Sequence, residues 1–325
     1  MDFFIVQGAL TDGCAAVIIK MEFFIRKGVC DMSYPRRVRP VTLVIAFLLM
    51  LTLLFGMVFA AQHQGEKIRF GLVAGAHAFG AAHLLQSASP SYDSVLYSDE
   101  DVVLRALDNQ LIDVALVSVS KALDLPGDTY ALHGVFAVMD LLAVSAEETV
   151  LNIGSLSGRT LIMPQKLQGS KEAGMLQKLL DEEDAAGYDM VYAADPVAAY
   201  QKTAGSVMLL PMDDLAAALR RDSALSVRFR LSQQWRTSFL SVAPAGWCIV
   251  YRRDIADTST FRAFEKALRD SMLYADRKRK KTIAMAVASG LFADEATADQ
   301  LIDHLSFSYL EDEEMRQAIA AYQAL

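Results

Sequence analysis

Residues 156–180 contain a polar loop whose position suits the binding of a small ligand. The sequence LSGRTLIMPQKLQGSKEAGMLQKLL predicts an apolar strand over residues 160–163 and then a loop with Gln165 and Gly169. Ser170 is the candidate N-cap of the helix that follows. Free N–H groups at a helix start favour an anion or a polar acceptor. This pattern predicts a loop that binds a ligand non-covalently. The alternative is an ordinary strand-to-helix connection with no binding role.

The same strand–loop–helix plan recurs along the chain. Residues 67–73 predict a strand, residues 74–80 a loop of small residues, and residues 81–86 the start of a helix. The order of strands and helices over residues 67–125 is repeated over residues 159–220. Such alternation predicts an α/β fold with mainly parallel sheets and helices on both faces.

The stretch over residues 133–144 is almost wholly apolar and predicts the strand that crosses between two lobes, as two segments meeting at Asp140. Residues 227–231 predict a strand that returns to the first lobe, and residues 247–252 predict another strand. From residue 260 onward the sequence predicts helices. Trp235 and Trp247 are expected in the core, with lining of a cleft as the alternative.

Several helix starts are readable from polar residues. Ser98 with Asp101 has the spacing of a capping box, and Asp195 followed by Pro196 predicts an N-cap with proline at the first helical position. Ser120 is the expected cap of a helix that begins near it.

Composition limits the classes of partner. The chain of 325 residues is long enough for two lobes, and its formal net charge of -8 argues against a nucleic-acid partner. The three cysteines, Cys14, Cys30 and Cys248, have neither metal-ligand nor CxxC spacing. We therefore expect no metal and no cofactor. The basic run over residues 277–281 predicts a solvated helix face, or else a patch for a partner or anionic lipid.

The N-terminal part has the pattern of an export signal. Residues 41–61 carry no charge and follow Arg36, Arg37 and Arg39. This arrangement predicts a signal peptide cleaved before Ala61, and a retained membrane anchor is the alternative. If translation starts at Met32, residues 1–31 are an upstream extension and residues 32–60 the signal peptide. With either a cleaved signal peptide or a retained anchor, the bulk of the chain is expected to be extracytoplasmic.

Catalytic groups are sparse in the predicted exported part. Its histidines are His63, His77, His83, His133 and His304, and none forms an obvious nucleophile–base pair with a neighbour in sequence. This pattern favours binding over catalysis. An exported enzyme and a membrane-anchored sensor or scaffold are the alternative hypotheses.

The chain resembles a type II periplasmic solute-binding protein, of the nitrate/sulfonate/taurine and thiamine-pyrimidine branch that serves ABC importers. The resemblance rests on residues 107–117 and on LSGRTLIMP, the loop to Ser170, MVYAADPVAAYQ, VMLLPMDDLAAAL, LSQQW and GWCIVYRRD, in the family's order. It covers about residues 68–325. Two departures are Asn109-Gln110, where the family often has glycine, and Met208, where it often has aspartate.

The resemblance implies two lobes that close on a small organic or anionic ligand, sulfonate-like or thiamine-pyrimidine-like. It places the first lobe at residues 61–143 and 227–325 and the second at residues 144–226. It implies a permease and an ATPase as partners, no enzymatic activity, and an extracytoplasmic location. The implied ligand-binding residues lie in strand-end loops: His77, Phe79, Ser118 and Ser120 in the first lobe, and Gln165, Gly169, Ser170, Met212 and Asp213 in the second. The hydroxyls would hold a polar end and Phe79 would stack on a ring.

Overall fold

The computed structural model describes residues 67–305 and 309–325. Within them the strands are β1 (Ile68–Val73), β2 (Tyr92–Tyr97), β3 (Val114–Ser118), β4 (Tyr130–Val138), β5 (Leu142–Ser145), β6 (Thr160–Pro164), β7 (Asp189–Ala193), β8 (Val207–Leu210), β9 (Ser226–Arg230) and β10 (Ala245–Arg252). The α-helices are α1 (Ala82–Gln86), α2 (Glu100–Asp108), α3 (Val119–Asp124), α4 (Lys171–Glu182), α5 (Pro196–Lys202), α6 (Met212–Arg221), α7 (Leu231–Phe239), α8 (Ser259–Arg277), α9 (Arg279–Ala288), α10 (Glu295–Ile302) and α11 (Asp312–Gln323). A 3-10 helix over Ala76–Ala81 follows β1.

The strands form two mixed sheets of the same plan. The first sheet has the order β2-β1-β3-β10-β4, and the second has the order β7-β6-β8-β5-β9. In each sheet one strand, β10 or β5, runs antiparallel to both neighbours, while the remaining strands run in one direction. The prediction of two mainly parallel sheets is confirmed. We call each sheet with its helices the first and the second lobe.

Helices cover both faces of the first sheet because successive strand residues point to opposite sides. Leu116 of β3 packs in one apolar cluster with Phe264 of α8. Its neighbour Val117 packs in another with Leu107 of α2. All four side chains are fully buried, which makes β3 the central, two-sided strand that a buried apolar run predicts.

The chain crosses between the lobes at Asp140. β4 lies in the first sheet and β5 in the second, so residues 139–141 form the crossing that the sequence predicted. The predicted return of residues 227–231 to the first lobe is wrong, because β9 pairs with β5 in the second sheet. β10 is the strand that returns. The alternating polar and apolar residues of β9, SVRFR, do not specify which sheet edge the strand joins. The lobe boundaries given above stay predictions.

The helix starts agree in part with the sequence. Ser170 caps α4 by accepting from the Ala173 N–H at 3.3 Å, as predicted. Asp195 caps α5 ahead of Pro196, also as predicted. Asp99, rather than Ser98, caps α2, because the last extended backbone position before the helix is Asp99, and its carboxylate accepts from the Val102 N–H at 2.9 Å.

Helix α3 begins two residues earlier than its predicted cap implied. Its N-cap is Ser118, so Ser120 lies inside the helix, and the prediction that Ser120 caps it is wrong. The two hydroxyls remain neighbours, with Oγ atoms 3.1 Å apart.

No helix within the described residues has both the length and the apolar character that crossing a membrane requires. The predicted signal or anchor segment, the predicted start at Met32, the two N-terminal cysteines and His63 all lie outside these residues.

Candidate functional site

A cavity of about 410 Å³ lies between the two lobes at the crossing. The first lobe contributes the loop after β1, the start of α3, the end of β4, and parts of β10, α8 and α11. The second lobe contributes the starts of α4 and α6 and the end of β9. Such a concave space between lobes, lined by apolar walls and a few polar groups, is the usual form of a small-molecule site.

The structure brings most of the predicted site residues to this cavity. Its lining includes His77, Phe79, Ser118, Ser120, Met212 and Asp213. Gln165 instead lines a separate hollow on the second lobe with Lys166 and Asp214. Gly169 and Ser170 line neither cavity. At the start of α4 the next two residues, Lys171 and Glu172, reach the cavity in their place. Ligand contact by the nine predicted residues stays a prediction.

Phe79 occupies a core position at the cavity wall. Only 1% of its surface is exposed, and its ring centroid lies 5.5 Å from that of Phe292. A ring held in this way shapes the wall more than it offers an open stacking face.

His77 lies flat against Trp247, with ring centroids 3.5 Å apart and an interplanar angle of 5°. Burial lowers the pKa of His77 to about 4, against the opposing effects of the Asp213 charge and a hydrogen bond to the Val73 backbone. The ring is therefore neutral at neutral pH. Its Nε2 atom is buried and has no hydrogen-bond partner among the described residues, and in the neutral tautomer whose other nitrogen is protonated it is an acceptor.

Asp213 links the two lobes across the cleft. Its side chain lies in the first turn of α6, and Oδ1 accepts from the Ala76 N–H of the first lobe at 3.2 Å. The N-cap of α6 is Pro211, so neither Asp213 nor Asp214 occupies the capping position. The carboxylate of Asp213 remains exposed and available to a ligand.

Asp140 and Arg230 form a buried ion pair at the crossing. Asp140 Oδ2 accepts from Arg230 Nε at 2.7 Å and from Nη2, and Oδ1 accepts from the Ser232 N–H at 3.0 Å. The exposed fractions of the two side chains are 9% and 13%. This pair ties the β4–β5 crossing to the end of β9 and forms one wall of the cavity.

The C-terminal helix closes another side of the cavity. Lys171 Nζ of the second lobe lies 5.4 Å from the ring centroid of Tyr322 in α11. The Tyr322 hydroxyl also interacts with Ser120. Gly174 of α4 faces Leu325, whose carbonyl oxygen lies 3.4 Å from the position a Cβ would take. The chain end therefore reaches from the first lobe to the second.

Five functional candidates at this cavity were not predicted from the sequence: Asp140, Lys171, Glu172, Arg230 and Tyr322. Asp140 was recognised only as the meeting point of two strands. Arg230 and Tyr322 lie in segments whose local pattern indicates only a strand and an amphipathic helix. Lys171 had a usable signal, since it follows the predicted cap Ser170.

Groups for metal or nucleophilic chemistry are not assembled in the described residues. No group of three or more His, Cys, Asp or Glu side chains there could hold a metal ion. Cys248 is buried, and burial raises the pKa of its thiol to about 12, which keeps it an inert thiol rather than a thiolate.

The buried, neutral state of His77 predicts a loss of stability in mild acid. Its pKa of about 4 in the folded protein lies below its ordinary value of 6.5. Between these pH values the unfolded chain binds more protons, so the free energy of unfolding falls as the pH drops. The His77 contribution approaches about 1.4 kcal/mol per pH unit in this window. Urea unfolding across the window should show a steeper loss for the wild type than for His77→Gln.

Two other histidines, His133 and His304, also have pKa values lowered chiefly by burial. They contribute equally to the pH dependence of the free energy of unfolding in the wild type and in His77→Gln. The difference in slope between the two proteins therefore reports His77 alone. Parallel stability curves for the wild type and His77→Gln would contradict the assigned environment.

A scan against protein-family models gives no match, and a search of curated proteins gives none. Solved structures do match. An ABC transporter structure from Parabacteroides distasonis has a TM-score of 0.62 and 21% identity, covering 80% of this chain and 91% of that one.

Two sulfonate-binding proteins give similar values. The periplasmic aliphatic sulphonate binding protein SsuA from Escherichia coli has a TM-score of 0.55 and 17% identity, covering 80% of this chain and 88% of that one. A putative periplasmic sulfonate-binding protein SsuA from Methylobacillus flagellatus KT has a TM-score of 0.54 and 15% identity, covering 80% and 87%. Structural similarity at such low sequence identity is evidence for the fold alone. The described part of the chain has the two-lobed, type II periplasmic-binding-protein fold.

Proposed function

We propose that this protein is the extracytoplasmic substrate-binding component of an ABC importer, which captures a small organic solute and delivers it to a membrane permease. The observation that carries the proposal is the cavity of about 410 Å³ built from both lobes at their crossing. The structural neighbours are ABC-transporter components of the same fold, two of them sulfonate-binding proteins. The predicted export signal agrees with this role.

Contacts across the cleft are the kind that opening and closing would break and remake. The Ala76–Asp213 hydrogen bond is one of them. On another side, Arg220 of α6 donates to Thr297 Oγ1 of α10 at 2.8 Å. The Lys171–Tyr322 contact joins α4 to α11. A ligand that adds contacts to both lobes would shift the population towards the closed state.

The polar groups of the cavity favour a ligand that donates hydrogen bonds. Lys171 is a cation without a carboxylate partner in the described residues, whereas Arg230 is already paired with Asp140. The cavity also contains hydrogen-bond acceptors: the carboxylates of Glu172 and Asp213 and the ring of the neutral His77. A sulfonate group has only acceptors and would face these carboxylates without donors. An amino-substituted heterocycle, the thiamine-pyrimidine-like class, fits them better.

Titration calorimetry with an aminopyrimidine and with ethanesulfonate tests this proposal. We expect the aminopyrimidine to bind more tightly, and Asp213→Asn to weaken it about ten-fold or more, because hydrogen bonds to charged groups contribute about 1.5–3 kcal/mol. The matched control is Asp214→Asn. Its carboxylate lies in the same helical turn but pairs with Lys166 and lines the separate hollow. We expect that variant to bind as the wild type does.

Small-angle scattering on the same samples measures closure. The proposal predicts a smaller radius of gyration with bound ligand and recovery of the ligand unchanged. Binding without compaction would contradict the transport role, and recovery of a chemically altered ligand would favour an enzyme of this fold. Tighter binding of ethanesulfonate that is insensitive to Asp213→Asn would overturn the assignment of ligand class.

A further inference from the structure

A run of five basic residues joins helices α8 and α9. Residues 277–281 read RKRKK. Helix α8 ends at Arg277, α9 begins at Arg279, and Lys278 between them leaves the helical conformation with φ −126° and ψ 42°. We call residues 277–281 the basic junction. The break presents the cations on a bend instead of along a single helix face.

Most of the basic junction has no partner among the described residues. Arg279 donates to the Ile302 carbonyl at 2.8 Å and lies 3.7 Å from Asp276 and 3.9 Å from Asp303. The other four cations, Arg277, Lys278, Lys280 and Lys281, are exposed, and no hydrogen bond or ion pair of their side chains occurs within residues 67–305 and 309–325. Arg279 anchors the bend, and its four neighbours are available to a partner.

The basic junction follows a part of α8 that contributes to the cavity wall. Met272, shortly before it in α8, lines the cavity. Ser271 fixes this part of α8 to the 3-10 helix after β1 and to α1, donating to the Gly80 carbonyl at 2.7 Å and accepting from the Leu84 N–H at 3.1 Å. On the other side, Arg279 is bonded to Ile302, shortly before the cavity residue Leu305. A partner bound at the junction would therefore contact the first lobe, next to helices that contribute to the cavity wall.

The composition of the basic junction indicates which kind of partner it could bind. Protein–protein interfaces are depleted in lysine and centred on aromatic and apolar side chains, and this run contains no apolar residue. Clusters of four to eight Lys and Arg side chains match anionic lipid headgroups. The formal net charge of -8 for the whole chain opposes a nucleic-acid partner. The same net charge would repel the rest of the molecule from an anionic membrane and so orient it with the junction inward.

We propose that the basic junction docks the protein on an anionic membrane surface. For the proposed transport function, on which this interpretation rests, docking would hold the first lobe beside the membrane that contains the permease. Each Lys or Arg side chain near such a surface strengthens binding about five-fold. The effect is screened by salt.

Vesicle co-flotation of the full chain tests the proposal. The probes are vesicles containing phosphatidylglycerol and vesicles of phosphatidylcholine alone, each at about 50 mM and about 500 mM salt, which span weak and strong screening. The test variant replaces Arg277, Lys278, Lys280 and Lys281 with glutamine. The control variant has the same net charge and replaces four exposed cations elsewhere with glutamine: Lys202, Arg236, Arg262 and Lys266.

We expect salt-sensitive binding of the wild type and the control to the anionic vesicles. We expect the test variant to bind about a hundred-fold or more weakly. Binding by the apolar N-terminal segment would be common to all three proteins and insensitive to salt. Equal binding by the test variant, or an equal loss in the control, would overturn the proposal and leave an acidic protein as the partner class for the junction.

The outcome is independent of ligand capture. The vesicle experiment is made without ligand, and ligand binding by the test variant is measured by calorimetry without vesicles. Loss of vesicle binding with intact ligand binding supports the proposal. If the wild-type protein bound no ligand in calorimetry, the transport function would be contradicted, but the conclusion about membrane docking would be unaffected.

Discussion

Replacing Asp140 with alanine is expected to lower the free energy of unfolding by about 3–5 kcal/mol, because it leaves the charge of Arg230 buried without a partner. The Arg230 side chain is only 13% exposed, and its Nε and Nη2 atoms both donate to Asp140 Oδ2. The substitution also removes the acceptor of the Ser232 N–H. The loss is measured by urea unfolding at pH 7.

Two comparisons isolate the effect of burial. Lys67→Ala breaks the exposed pair with Asp93, whose side chains are 45% and 60% exposed, and should cost no more than about 1 kcal/mol. The double variant Asp140→Leu with Arg230→Met removes both charges and should recover much of the loss. A cost for Asp140→Ala that matches Lys67→Ala would show that the pair at the crossing is not buried in solution.

The Gly246→Ala variant is expected to show the second large effect. A Cβ at this position would lie 2.9 Å from both the Met139 nitrogen and the Val138 carbonyl carbon, and 3.1 Å from the Ala137 oxygen. These are backbone atoms of the segment where β4 leaves for the second lobe, so no side-chain rotation relieves the contact. We expect a loss at or above the upper end of about 1–3 kcal/mol and weaker ligand binding, because Gly246 and Met139 both line the cavity.

Gly127→Ala is the matched control for this substitution. A Cβ at Gly127 would meet no atom within 4 Å, so its stability should stay within about 0.5 kcal/mol of the wild type. Chemical unfolding measures both variants, and calorimetry with the aminopyrimidine measures binding. A Gly246→Ala protein with wild-type stability and affinity would contradict the close approach of β10 to the crossing.

The fold was predictable where local patterns decide it. Alternating apolar segments predicted the two mainly parallel sheets, and the interruption at Asp140 predicted the crossing between β4 and β5. The sheet to which β9 belongs was not predictable, because its alternating sequence, SVRFR, would suit the edge of either sheet. Ser98 and Asp99 both fit a helix cap, and only the backbone conformation selects Asp99.

The candidate site was predictable where it lies at strand ends. His77, Ser118 and Asp213 follow strands whose carboxyl ends meet at the cleft, and they share one cavity. The pairing of Asp140 with Arg230 joins residues far apart in sequence, and neither residue carries a local signal of it. Tyr322 belongs to an amphipathic helix, whose pattern indicates packing and gives no sign that one side chain reaches the cavity.

The central claim is that the protein captures a small molecule between its lobes and releases it unchanged. Native mass spectrometry of the protein purified gently from its own cells tests this most directly, with Asp213→Asn purified in parallel. We predict one small molecule for each wild-type chain, less of it on the variant, and release of an intact compound that bears an N–H donor. A wild-type protein that carries no molecule and closes on none of the probes, or one that converts its ligand, would contradict the claim.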